Sequence, residues 1–213
     1  MFWRRNGLSL TVGGLMLLFL CGQIMAGHNA YNEVLALAHQ PMLDLWAYLH
    51  TGHFVSATFE NWESEFLQMG MYVVLTVKLR QAGSAESRPL APEDDEPRID
   101  PGPLPWPARA GGVWRWLYGH SLSIAFALLF LLSFVLHLLG SWRADVAERL
   151  REGLPAASVW HHLASADFWF ESMQNWQSEF LAVLSLVLLT IWLREKDSPQ
   201  SKAVEAPHSQ TGD

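Results

Sequence analysis

The chain has 213 residues; half are hydrophobic and 16% are charged, below the roughly 25% charged content of an ordinary globular protein. Its net charge of −7 excludes the basic footprint that a nucleic-acid partner requires. One cysteine, Cys21, excludes an intrachain disulfide.

The first apolar run, residues 8–26, carries no charge. It is long enough to cross the ~30 Å hydrocarbon core as a helix. Arg4 and Arg5 ahead of it, and Ile24-Met25-Ala26 at its end, also fit a cleaved signal peptide. A matching segment lies mid-chain, where no signal can stand, so a retained transmembrane helix is expected. Gly13-Gly14 within it reads as ordinary membrane-helix glycine rather than a close helix contact. Residues 28–59 are expected to form an outer loop holding a short amphipathic helix behind Pro41. Trp46, Tyr48 and Phe54 would lie at headgroup level.

The next run opens on Asn61-Trp62-Glu63-Ser64-Glu65-Phe66 and closes on Arg80. Its continuous apolar part, residues 66–79, spans only ~21 Å at ~1.5 Å per residue. A crossing helix over residues 62–80 therefore needs the Asn-Trp-x-Ser-Glu turn to enter the bilayer, with Lys78 and Arg80 snorkelling at the other end. A Pro- and acid-rich linker follows over residues 91–114, with Glu93-Asp94-Asp95-Glu96 at its start. Such a segment buries too little apolar surface to order itself. The third run is expected over residues 117–140. The fourth covers residues 176–194 and opens on Asn175-Trp176-Gln177-Ser178-Glu179-Phe180. A polar tail occupies residues 203–213.

The two motifs stand 114 positions apart, and 13 of 28 residues are identical between residues 61–88 and 175–202. Pro41 matches Pro155, Trp46 matches Trp160, and Phe54 matches Phe168 at the same offset. The expected fold is all-α transmembrane: four helices as two tandem, parallel two-helix repeats, residues 1–90 and 115–202, with short interfacial helices in the outer loops. Eleven of the 14 Lys and Arg residues lie at the termini, the linker and their flanks. Both termini and the linker should then be cytoplasmic.

Polar residues at membrane depth are the candidate functional groups. Asn61, Glu65, Gln68, Tyr72 and Thr76 fall on one helical stripe, expected to face other helices. Gln23 aligns with His137, at a depth near that of the glutamates. The candidate site is a polar cluster of Gln23, Asn61, Glu65, His137, Asn175 and Glu179. Against it stands a capping role, with Asn61 closing a helix N-terminus and Glu65 complementing its dipole. His50 and His53 have metal-ligand spacing, but no ligand set recurs in both halves, and His137 has no second histidine at its depth for haem. No cofactor, metal site or catalytic residue is expected. Ser64 and Ser178 have no histidine fixed beside them.

The opening residues 2–10, the doubled Asn-Trp-(Glu/Gln)-Ser-Glu-Phe motif and the tail with Ala206-Pro207-His208 resemble an uncharacterised family of small bacterial integral membrane proteins, a domain of unknown function. The resemblance implies four spans in the bacterial inner membrane and no known activity. An accessory or structural membrane component ranks first, ion, proton or solute transport second, and a metal- or haem-dependent enzyme last. The expected partners are the lipid bilayer and a second copy or another membrane protein.

Overall fold

The computed structural model describes residues 2–91, 95 and 99–212. Glu93, Asp94 and Glu96 of the acidic run, and Arg98 among the topology-setting cations, lie outside the described residues. The described residues form eight helices and no strand. These are α1 (Phe2–Leu37), α2 (Leu45–Leu49), α3 (Gly52–Lys78), α4 (Trp106–Ala110), α5 (Gly112–Gly119), α6 (Ser121–Arg151), α7 (Val159–Leu163) and α8 (Ala166–Leu189). Two of them, α1 and α6, are long and apolar enough to cross a membrane.

The helices run further than the apolar runs because their ends are set by local capping. Helix α1 continues past residue 26 until His39 takes a left-handed backbone, φ 55°. There Gln40 N–H reaches Leu35 O (2.8 Å) and His39 N–H reaches Ala36 O (3.0 Å). This double closure is a Schellman end, with Pro41 just beyond it. Helix α6 ends the same way: Gly153 (φ 73°) is followed by Leu154 N–H to Arg149 O at 2.8 Å, and then by Pro155. Asp44 caps α2 through Ala47 N–H (2.8 Å), and Ser158 caps α7 through His161 N–H (3.2 Å). Each device recurs 114 residues on.

The motif helices are the main surprise. Helix α3 has 27 residues and α8 has 24, or ~40 and ~36 Å at ~1.5 Å per residue. Thr51 Oγ1 accepts Phe54 N–H (3.2 Å), and Ser165 Oγ accepts Phe168 N–H (3.3 Å). These residues close the N-termini, so Asn61 and Asn175 lie well inside their helices and do not cap them. The apparent shortfall in length came from counting only apolar residues. The polar motif belongs to the same continuous helix. At the far ends Arg80 and Arg194 fold back onto the last carbonyls, including Thr76 O (3.0 Å) and Thr190 O (3.2 Å).

The chain divides into two compact units, residues 1–59 with 135–168, and residues 60–134 with 169–213. In the first, α3 and α6 meet at two glycines. A Cβ on Gly52 would lie 2.5 Å from Gly140 O, and one on Gly140 would lie 2.5 Å from Ser56 N. Side chains are absent where the backbones touch, as small-residue helix contacts require. A Cβ on Gly13 or Gly14 would meet nothing within 4 Å, so these two make no such contact. The loop between α1 and α2 is tied by Asn32, which donates to Leu43 O (2.9 Å) and accepts from Leu43 N–H (2.8 Å).

The burial pattern is inverted relative to a water-soluble domain. Among the described residues the buried large apolar side chains are Leu35, Tyr48 and Phe168, whereas Glu63, Ser64, Gln68, Ser133, His137 and Thr190 are buried polar ones. Most leucines of α1 and several of α6, among them Leu15, Leu17, Leu18, Leu128, Leu131 and Leu132, point outward. Soluble domains bury the opposite set.

Candidate functional site

The second unit holds both copies of the motif. Glu63 is fully buried, and its Oε1 accepts the indole N–H of Trp176 at 2.9 Å. Asn175 Nδ2 donates to Glu60 Oε1. The Trp176 ring also meets Trp169 and Phe130 edge-on, at centroid distances of 6.3 and 6.2 Å. Ser64 and Ser178 each donate to the carbonyl three residues back, Asn61 O and Asn175 O, at 2.8 Å. Their hydroxyls are thereby absorbed by the helix. Glu63 of the first motif thus binds the indole of the second, and Glu60, the residue before the first motif, binds its amide.

The six sequence candidates are distributed as follows. Asn61 and Glu65 are exposed on α3, while Asn175 and Glu179 are half-buried on α8. In the first unit Gln23 is exposed on α1 and donates to Thr58 Oγ1 (3.2 Å). His137 is fully buried on α6, its ring stacked on Phe168 at 4.9 Å. The stripe expected on α3 is displaced by one residue at its start. Ser64 and Gln68 are the buried members, with Tyr72 and Thr76 half-buried behind them. Glu60 and Glu63 were therefore missed: a regular 100° wheel favours Glu65, and only the packing of Trp176 selects Glu63.

A second polar constellation lies in the first unit. Ser141 Oγ is 2.9 Å from His162 Nε2, and His162 Nδ1 is 3.8 Å from Asp145 Oδ2. The residue types are those of a nucleophilic relay. The geometry serves a clamp instead. Asp145 is held by Arg149 Nε through both oxygens, at 2.9 and 3.0 Å, and Ser141 is buried. Burial pushes the His162 imidazole below its ordinary range, with Asp145 partly opposing the shift. Trp142 Nε1–H to Ala157 O (2.8 Å) fastens the same loop.

The C-terminal segment forms a third constellation, in the second unit. Lys202 is buried, and its Nζ donates to Gly83 O, His208 O (3.0 Å) and Gln210 O (2.8 Å). Gly83 N–H donates to Thr211 Oγ1 (2.9 Å), and Gly212 N–H donates to Ser84 O (3.0 Å). Gly83 has φ 81°, a backbone that favours glycine. An ammonium has three protons to donate; Gly83 supplies one acceptor and the folded tail the others.

The fold defines an all-helical protein with two helices able to span a membrane and a polar, hydrogen-bonded interior. A family model described as "Domain of unknown function (DUF6766)" matches residues 1–213, and the chain belongs to that family. No curated protein and no solved structure matches it.

Proposed function

We propose that this chain is a four-span integral membrane protein of the bacterial inner membrane, built as two tandem two-helix units, with α3 and α8 as the second and fourth spans. Its termini and linker are cytoplasmic. We read its role as an accessory or structural membrane component. The observation that carries this reading is the inverted burial: motif side chains at depth are tied to one another, as Glu63 is to Trp176, while apolar side chains face out. Polar side chains satisfied by neighbouring helices are the means by which membrane helices associate. The recurrence of the caps at Asp44 and Ser158, and at Thr51 and Ser165, supports the duplication.

The grouping of Glu60, Glu63, Glu65 and Glu179 in one unit favours a second reading, passage of a proton or small cation. Purified protein in sealed vesicles separates the two. The accessory role predicts no flux above empty vesicles and a stoichiometric protein partner on gentle purification. Proton or cation flux that disappears in Glu63→Gln or in the pair Glu65→Gln, Glu179→Gln contradicts it.

A further inference from the structure

Two cavities of the second unit share a wall. One, of about 380 Å³, runs between α3 and α8 and is lined by Leu75, Leu79, Phe180, Val183, Leu184 and Val187. The other, of about 470 Å³, is polar and is bounded by Arg88, Gln200 and Gly212 of the segments that flank α3 and end the chain. Tyr72, Thr76, Glu86 and Ser87 line both. An apolar slot beside a polar chamber, with four lining residues in common, matches the two parts of an amphiphile.

The charges at the chamber choose among amphiphiles. Asp95 binds Arg88 Nε at 2.8 Å and Arg80 Nη2 at 3.5 Å. Glu86 is held by the Tyr72 hydroxyl, which donates to its Oε2 at 2.8 Å. Among the described residues Arg80 and Arg88 are offset by Asp95 and Glu86, so these four groups give an anionic headgroup no net attraction. A zwitterionic headgroup finds a partner at each end: Arg88 for phosphate and Glu86 for a cation. A carboxylate hydrogen-bonds a primary ammonium and cannot hydrogen-bond a quaternary one. The slot between Tyr72 and Leu79 is on the order of 10 Å long, enough for about half of one extended acyl chain.

We propose that this paired cavity binds one phospholipid with a primary-ammonium zwitterionic headgroup, acyl chain in the slot and headgroup between Glu86 and Arg88. The proposal rests on the membrane reading above. It is tested on the full chain in detergent by native mass spectrometry, with phosphatidylethanolamine, phosphatidylcholine and phosphatidylglycerol of equal chain length. The ethanolamine lipid should be retained about tenfold over the other two, the effect of one charge-assisted hydrogen bond. Glu86→Gln should reduce it to the choline level. Arg88→Gln, at an exposed side chain, should weaken ethanolamine and choline lipids alike. Leu184→Trp should close the slot to all three. Equal retention of the three lipids, preference for the glycerol lipid, or ethanolamine binding unchanged in both Glu86→Gln and Arg88→Gln overturns the site. Alkaline carbonate washing of membranes separates this failure from that of the parent reading. A chain released by carbonate refutes the membrane reading, whereas one retained without lipid preference refutes the lipid site alone.

Discussion

His162 sits between a hydroxyl and a carboxylate, and its environment makes the α7 clamp depend on pH. Its imidazole is pushed below the usual range, so the folded chain holds the neutral form while the unfolded chain still takes up a proton near pH 6.5. The clamp's contribution is therefore complete above about pH 6.5 and is lost as pH falls toward the lowered value. Protection of the amides of residues 158–165, taken relative to the intrinsic base-catalysed rate at each pH, should be higher at pH 8 than at pH 5. His162→Phe should abolish that difference, and pH-independent protection in the unaltered chain would count against the assignment. Asn32 gives a second test at this scale. Asn32→Ala leaves Leu43 N–H without its side-chain partner and Leu43 O to His28 Nε2 alone (2.8 Å), at a cost of about 1–3 kcal/mol in thermal unfolding in detergent.

At the scale of the elements, helix ends and one crossing carry the account. Thr51→Ala and Ser165→Ala should each cost about 1 kcal/mol and expose the first turns of α3 and α8 to exchange. Asn61→Ala should leave those turns protected, since it sits inside α3. Gly140→Leu forces side-chain atoms into the Ser56 backbone and should cost well over 1 kcal/mol, or abolish folding. Gly14→Ala, with open space around it, should change stability by less than about 0.5 kcal/mol. Much at this scale was legible in the sequence. The short helices behind Pro41 and Pro155 form, and their positions differ by the offset of the two motifs. The long helix ends were not legible. Polar residues such as Asn29, Asn32 and Glu33 interrupt the apolar run but leave the helix intact, and its end is fixed by the left-handed His39. The site was half legible for a related reason. Periodicity places Gln68, Tyr72 and Thr76 on one line, but the partner that buries Glu63 is an indole 113 residues away. The fold of residues 202–212 around the Lys202 ammonium had no sequence signal, because its acceptors are backbone carbonyls.

For the whole molecule, the central claim is that α3 and α8 cross the bilayer along with α1 and α6. Hydropathy alone supports only the latter two. On the four-span reading the polar faces account for the difference: α3 buries Glu63 and Gln68 and α8 buries Ser172, side chains that lower the apolar score without shortening the helix. The chain has one native cysteine, which allows a direct measurement. In a Cys21→Ser background, single cysteines at Asn6, Ala38, Gly102, Ala156 and Glu205 are labelled in intact cells with a membrane-impermeant thiol reagent. Four spans predict labelling from outside at Ala38→Cys and Ala156→Cys, and protection until lysis at the other three. Labelling of Gly102→Cys together with Ala38→Cys, and protection of Ala156→Cys, would mean that only α1 and α6 cross and would contradict the account.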